Sequence, residues 1–135
     1  MTRSRLRVPV ERSKVPEYVK VAQNFYDGAD LAREFQYWNA AGVLIVHAAI
    51  ALADAIAIKM GGVKSRGSDH QDTVALLEEL IVTNKENQRA LHQLRRIIDH
   101  KNAVSYSGEV YERADIEQLW KLVTRFRDWA RDVLD

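Results

Sequence analysis

One long apolar segment, residues 40–58, dominates the hydrophobic pattern of the chain and reads AAGVLIVHAAIALADAIAI. Only His47 and Asp54 interrupt it, so the segment has no polar face. A helix that is apolar on every side is normally surrounded by other elements. The segment therefore predicts a central helix, which runs from about Trp38 to Met60 and ends at a pair of glycines.

Apolar residues recur at helical spacing through most of the remaining chain. They predict helices that contain residues 16–32, 38–60, 74–81, 86–104 and 116–133. Ser68–Gln71 has the pattern of a capping box, which predicts that the third helix begins there. A break at Thr83-Asn84 can divide one helix in two. No segment alternates clearly between apolar and polar residues, so no strand is predicted, and the predicted fold is all-α, an up-and-down four-helix bundle.

Length and composition suit one domain, since the chain has 135 residues. The absence of cysteine excludes disulfides, thiolate zinc sites and thiol nucleophiles. Charge is uneven: residues 1–14 hold five Lys or Arg against one Glu, and the remainder is slightly acidic. We therefore predict a basic, flexible arm over residues 1–14 and one helical-bundle domain over residues 15–135. The arm could touch phosphate, whereas the body is not a general nucleic-acid surface.

The central apolar segment approaches the length of a membrane span, but a histidine or an aspartate at its middle would be costly in lipid. The basic N-terminus is not followed by an apolar run of the kind found in signal peptides. We expect a cytoplasmic protein that does not enter the membrane.

Several short segments follow one another in an order that is typical of one family. They are Asn39-Ala40, His47-Ala48-Ala49, Asp54-Ala55, Gly61, Lys64–His70, Leu76-Leu77, Lys101–Tyr106 and Phe126–Ala130. Over residues 16–134 this order resembles the HEPN superfamily (higher eukaryotes and prokaryotes nucleotide-binding domains). The resemblance implies a small four-helix domain that forms a homodimer. It also implies a nucleotidyltransferase as a partner, in a bacterial toxin–antitoxin or defence system.

Catalytic members of that family cleave RNA without a metal, and they use an arginine followed four to six residues later by a histidine. Arg95 and His100 have this spacing. The resemblance implies that Arg95 stabilises the phosphate charge and that His100 transfers a proton. The family's arginine is commonly followed by Asn or Asp, whereas Arg96 stands here. On an unbroken helix Arg95 and His100 point about 140° apart, so they converge only if the helix distorts or a second subunit supplies one of them.

Lys101, Asn102 and Tyr106 form a second candidate group, which could bind a nucleotide. Asn102 and Tyr106 share one strip of the predicted helix, and Lys101 projects toward the core. A lysine aimed inward needs a partner or a water-filled cleft, and Asp54 is the candidate partner. A structural ion pair and a ligand site are both open interpretations.

His47 and Asp54 lie seven residues apart, which puts them on one helix face but about 10 Å apart along the axis. They cannot bond to each other. We expect both to be buried, each with a partner on a neighbouring helix.

The loop from Gly61 to His70 carries Lys64 and Arg66 and leads into the N-terminus of a helix, where free N–H groups attract anions. Lys64, Arg66 and His70 are therefore candidate phosphate ligands, and the alternative is an exposed turn. No group of histidines and carboxylates has the spacing of a metal site, so neither a metal nor a cofactor is predicted. The tryptophans are expected to pack at helix edges.

Two functions fit these observations. The first is a HEPN-like component of a nucleotide- or RNA-associated bacterial system, acting as a metal-independent endoribonuclease in a toxin–antitoxin pair. The second is a non-catalytic dimeric module that binds a partner or a nucleotide and works beside a nucleotidyltransferase.

Overall fold

The computed structural model describes residues 7–66 and 70–135, and helices make up most of these. The helices are α1 (Val15–Glu34), α2 (Trp38–Gly61), α3 (Gln71–Leu80), α4 (Lys85–Asp99), α5 (Lys101–Ser105) and α6 (Arg113–Leu134). Two short strands, β1 (Arg7–Pro9) and β2 (Val63–Ser65), pair with each other, and a 3₁₀ turn precedes α1. The prediction of a mostly helical, all-α chain is confirmed, with a small sheet added to it.

Helix α2 forms the centre of the core. Fourteen of its residues are buried, and it contacts α1, α3, α4, α5 and α6. The predicted enclosure of the apolar segment is therefore confirmed on most of its sides. By length and composition α2 could also cross a membrane, with a mean hydropathy of 2.2, but 78% of that apolar window is buried inside the fold. Such burial is typical of the core helix of a soluble protein.

Aromatic and polar side chains join α1 to α6. The Tyr26 and Trp120 rings stack with their centroids 4.6 Å apart. The Arg33 guanidinium lies 4.2 Å from the centroid of the Trp120 ring and donates a 3.1 Å hydrogen bond to Glu117. Trp129 is buried against the core. Trp120 and Trp129 thus pack between helices, as predicted.

The break predicted near Thr83 and Asn84 is confirmed, because residues 81–84 are not helical. Asn84 begins α4 as its N-cap, and its side chain accepts a 2.8 Å hydrogen bond from the backbone N–H of Asn87. This cap satisfies one of the free N–H groups in the first turn of α4.

The continuous helix predicted over residues 86–104 is wrong at His100. There α4 ends, and the His100 N–H bonds to the carbonyl of Ile97 (3.1 Å) in the tighter pattern of a 3₁₀ turn. The short α5 that follows packs against α2, where Gly42 leaves room for Val104. Long-range packing of this kind leaves no mark on the local periodicity, so the sequence did not indicate the break.

The prediction of a flexible arm without strands is wrong for residues 7–14. Strand β1 pairs antiparallel with β2, with Arg7 opposite Ser65. The Arg7 side chain is largely buried and forms ion pairs with Glu79 (2.7 Å) and Asp72 (3.4 Å) of α3. Arg12 donates a 3.1 Å hydrogen bond to a backbone carbonyl at the end of α2. The basic residues therefore attach this segment to the domain because carboxylates and carbonyls far away in sequence meet them.

Two further predictions fall on residues outside the described ranges. Arg3 and Arg5 belong to residues 1–6, and the Ser68 and Asp69 of the predicted capping box belong to residues 67–69. Helix α3 begins at Gln71, close to the predicted start.

The turn between α1 and α2 contains a left-handed residue that is not glycine. Gln36 has φ 63°, its N–H bonds to the carbonyl of Arg33 (3.0 Å), and the Tyr37 N–H bonds to that of Ala32 (2.9 Å). These two bonds form a Schellman motif, which usually has glycine at the left-handed position.

Replacing Gln36 with glycine is expected to raise the free energy of unfolding by about 1 kcal/mol, because glycine adopts φ > 0 without the steric cost that an L side chain meets. Urea denaturation monitored by circular dichroism measures the change. Gly62, at φ 66°, is the matched control, and Gly62→Ala should lower stability by about 1 kcal/mol. A Gln36→Gly protein no more stable than the wild type would show that side-chain contacts of Gln36 offset its backbone strain.

Candidate ligand groove between α1 and α2

The structure connects Arg95 and His100 to different neighbours. The Arg95 side chain is 45% exposed, and its guanidinium forms a 2.7 Å ion pair with Glu78 of α3. The His100 Nδ1 lies 2.6 Å from the hydroxyl of Tyr111, which precedes α6. Burial raises the pKa of Tyr111, with smaller contributions from nearby carboxylates. The phenol therefore stays neutral, and its hydrogen bond occupies one of the two ring nitrogens of His100.

A groove runs between α1 and α2, along a side of α2 that the described elements leave partly open. This α1–α2 groove has a volume of about 330 Å³ and is mainly apolar. It is lined by Glu17, Tyr18, Val21 and Phe25 of α1 and by His47, Ile50, Ala51 and Asp54 of α2. A mostly apolar concavity of this size with a few polar groups is typical of a small-molecule site.

His47 marks one end of the groove. It is partly buried, its ring centroid lies 5.6 Å from that of Phe25, and no hydrogen bond connects its side chain to the described residues. Burial lowers the pKa of His47, and the positive charge of Lys101 lowers it further. Lys101 is the first residue of α5, and its Nζ is 5.9 Å from the centroid of the Tyr106 ring.

Asp54 marks the other end. Its side chain is largely buried, and burial raises its pKa to about 7, while the positive charge of Lys64 acts in the opposite direction. No hydrogen bond joins Asp54 to another group within the described ranges. Lys64 belongs to β2, and its Nζ lies 5.2 Å from the centroid of the Tyr18 ring.

The expected hydrogen-bond partners of the two ionisable groups on α2 are therefore not found among residues 7–66 and 70–135. His47 and Asp54 are partly exposed to the groove instead of being bonded to neighbouring helices. Asp54, the predicted partner of Lys101, lies beside Lys64 instead. The sequence identified His47 and Asp54 of the groove and the two lysines that act on them, but it paired Asp54 with the wrong lysine.

The other residues predicted to bind a ligand do not line the groove. Asn102 and Tyr106 are exposed, and the Asn102 carbonyl accepts hydrogen bonds from the N–H groups of Tyr106 (2.8 Å) and Ser107 (3.2 Å). His70 forms the N-cap of α3, and Arg66 is exposed just after β2. Because residues 67–69 between them are not described, the predicted phosphate site in this loop is not defined by the structure.

Asn39 holds α5 and the following loop against the start of α2, a role that sequence analysis did not detect. Its Nδ2 donates hydrogen bonds to the carbonyls of Val104 (3.1 Å) and Glu109 (2.9 Å), and its Oδ1 accepts one from the Tyr111 N–H (2.8 Å). All three groups that the Asn39 amide contacts are backbone groups, so the contact does not depend on the side chains at those positions. These three hydrogen bonds fix the position of α5, which carries Lys101, and of the loop after it.

Tyr18 and Phe25 line the groove, although no feature of the sequence singled them out as site residues. They recur with Val21 at helical spacing in one apolar stripe of α1, in which Val21 is 45% exposed and the other two are partly exposed. An apolar stripe has the same periodicity whether it faces a core or an open groove, so no local signal distinguishes the two.

Within the described ranges, no group of three or more histidines and carboxylates is arranged to hold a metal ion. Comparison of the chain with protein-family models, with curated proteins and with solved structures finds no match.

Proposed function

We propose that this chain is a HEPN-like helical module that binds a nucleotide in the α1–α2 groove and does not itself cleave RNA. One observation carries the proposal. The polar groups His47 and Asp54 line one apolar groove without a hydrogen-bond partner within the described residues, and each lies in the electrostatic field of a lysine, Lys101 for His47 and Lys64 for Asp54. Polar groups on the edge of an apolar site normally orient a ligand.

The chemistry of the groove suits a nucleotide. At one end of the groove, the Lys101 ammonium and the His47 imidazole can bind phosphate oxygens. A bound anion would offset the positive charge of Lys101, which otherwise disfavours protonation of His47. The rings of Phe25 and Tyr18 and the aliphatic floor offer the flat apolar surface on which a base can rest.

The contacts of Arg95 and His100 favour the non-catalytic alternative. A ribonuclease needs both groups near one phosphate, but within a subunit Arg95 is paired with Glu78 and His100 is bonded to Tyr111. Cleavage would require both bonds to break or a second subunit to rearrange them. Neither change is needed for binding in the groove.

The resemblance extends the proposal to partners: a cytoplasmic homodimer that works beside a nucleotidyltransferase, in a toxin–antitoxin or related system. Exposed apolar side chains at the α1–α2 turn would supply contact surface away from the groove. Leu31, Phe35 and Tyr37 are 57%, 62% and 64% exposed, respectively. Clusters of this kind often mark protein-interaction sites.

Replacing Lys101 with alanine is expected to weaken nucleotide binding at least about tenfold, because a charge-assisted bond to phosphate contributes about 1.5–3 kcal/mol. Isothermal titration calorimetry with ATP and GTP measures the affinity, and thermal shift checks it. Lys121→Ala is the matched control, since Lys121 is an exposed lysine on α6 and should leave the affinity unchanged. Absence of binding to any nucleotide by the wild-type chain would overturn the proposal.

RNA cleavage tests the alternative directly. The wild-type chain, with a chelator present, should leave a mixed RNA substrate intact. If it cleaves RNA, and if Arg95→Ala and His100→Ala each abolish that cleavage, the endoribonuclease interpretation is correct and the non-catalytic one is wrong.

A further inference from the structure

Asp54 differs from the other carboxylates that line helix contacts in this protein. Glu78, Glu79 and Glu117 each pair with an arginine on another element. Asp54 is more buried than these three, yet its carboxylate makes no hydrogen bond within the described ranges. A largely buried acid without a partner is costly, and here it faces a groove that is open to a ligand.

The charged groups around Asp54 favour a ligand that donates hydrogen bonds to a carboxylate. Lys64, on β2, stabilises the ionised form. Glu17, the nearest acidic residue lining the groove, lies at its exposed rim within reach of Lys14 (3.7 Å). Tyr18 contributes a ring that faces Lys64. An ionised carboxylate accepts hydrogen bonds through both oxygens and donates none, so the complementary group has two adjacent donors.

The spacing along α2 sets the length of the ligand. His47 and Asp54 lie on one face of the helix about 10 Å apart along its axis. His47, on which the charge of Lys101 acts, is at one end and would face the phosphate, and the carboxylate is at the other. A nucleotide in an extended conformation spans such a distance, from its phosphate to the Watson–Crick edge of its base.

The bases differ in what they present at that edge. Guanine has two donors side by side, the ring N1–H and the exocyclic N2–H₂, and a single carboxylate accepts from both. Adenine and cytosine each place one donor beside an acceptor, and the lone donor of uracil lies between two carbonyl acceptors. A carboxylate would face an acceptor lone pair in each of these three bases, an arrangement that leaves a polar group unpaired.

We propose that the α1–α2 groove selects guanine nucleotides, with the Asp54 carboxylate accepting hydrogen bonds from N1–H and N2–H of the base while Lys101 and His47 hold the phosphate. This inference rests on the proposed nucleotide-binding function and adds the identity of the base. The Asp54 carboxylate positions the base and determines which base binds. The apolar floor of the groove contributes equally to the affinity for every base.

Calorimetric titration of the full chain at pH 8 with GTP, ATP, UTP and inorganic triphosphate tests the inference. The wild type should bind GTP at least about tenfold more tightly than ATP or UTP, since a site built to accept donors rejects a ligand that lacks them. Asp54→Asn presents one acceptor and one donor, so this variant should lose the preference for GTP and gain affinity for ATP. Asp128→Asn, on the exposed face of α6, is the matched control and should keep the preference.

The possible results separate this inference from the function on which it rests. If GTP, ATP and UTP bind equally well, or if Asp54→Asn keeps the preference for GTP, the guanine assignment is wrong but nucleotide binding stands. If inorganic triphosphate binds as tightly as the nucleotides, the base does not occupy the groove and the assignment is also wrong. If none of the four binds, the proposed function itself fails.

Discussion

Replacing Asp54 with asparagine is expected to stabilise the free protein by about 3 kcal/mol at pH 8 and hardly at all near pH 4. In the folded chain burial raises the pKa of Asp54 from 3.8 to about 7. Since one pKa unit corresponds to about 1.4 kcal/mol, the ionised carboxylate costs the folded state about 4 kcal/mol. Partial exposure of the side chain to the groove reduces this to about 3 kcal/mol. Asparagine is nearly isosteric and carries no charge, so it removes the cost.

The sign of the pH dependence follows from proton binding. Between pH 3.8 and about 7, the folded state keeps a proton on Asp54 that the unfolded state has lost. The contribution of this group to stability is therefore complete below pH 3.8, declines as the pH rises through this window, and levels off above pH 7. His47 has the opposite effect on the pH dependence of stability. Its pKa is lowered in the folded state, so below about pH 6.5 the unfolded state binds more protons and the stability falls as the pH falls.

Urea denaturation at pH 4, 6 and 8 measures the effect of Asp54, and replacing His47 removes the opposing effect of the histidine. In a His47→Gln background, the stability difference between the Asp54→Asn protein and its parent should grow steadily from pH 4 to pH 8. Asp128→Asn, at an exposed position, should show no such growth. If the free energies of unfolding of the Asp54→Asn protein and its parent changed with pH in parallel, the carboxylate would be solvated in the groove and its charge would not be buried.

Replacing Gly42 with alanine is expected to lower the free energy of unfolding by about 2 kcal/mol, although alanine usually favours a helix over glycine by about 1 kcal/mol. A Cβ at this position would lie 2.7 Å from Cγ1 of Val104 and 3.3 Å from Cδ1 of Ile116. Val104 is buried and branched at Cβ, so its side chain has little freedom to move away. The added methyl group would therefore push α5 away from α2.

Gly28 of α1 provides the matched comparison. A Cβ there would meet only Cδ1 of Leu44, at 3.3 Å, and the end of a leucine side chain can move by a few tenths of an ångström. Gly28→Ala should therefore be neutral or stabilising by up to about 1 kcal/mol. Chemical denaturation of both variants measures the contrast.

A double-mutant cycle shows whether the contact with Val104 is the cause. Val104→Ala removes the clashing methyl group, so Gly42→Ala should cost much less in that background than in the wild type, with a coupling energy of about 1–2 kcal/mol. Additive effects of the two substitutions would contradict the close approach of α5 to α2.

The local pattern was sufficient for the helices whose signals lie within a few residues. The glycine pair ended α2 as predicted, with Gly62 in the left-handed conformation after Gly61. The break at Thr83-Asn84 was visible because apolar periodicity stops there and an N-cap residue follows. Each of these signals acts on neighbouring backbone groups, so it works regardless of tertiary context.

The candidate site was predicted only as a set of residues. The sequence singled out His47, Asp54 and Lys101, because ionisable groups in or aimed toward an apolar helix are conspicuous, and Lys64 as a cation in a loop that leads into a helix. It predicted the wrong partner for Lys101 and did not identify Tyr18 or Phe25 as residues that line the groove. Which lysine acts on which group depends on how β2 folds back after α2 and on how α5, about forty residues further along the chain, packs on α2.

What the sequence determined by itself is the helical class of the chain, its central apolar helix and most of the helix ends, since periodicity and capping are local properties. Only the tertiary structure decided the β1–β2 pairing, the ion pairs of Arg7, the interruption at His100 and the opening of a groove along α2. These features depend on contacts between residues tens of positions apart, and their energies arise only when the packed helices bring those residues together.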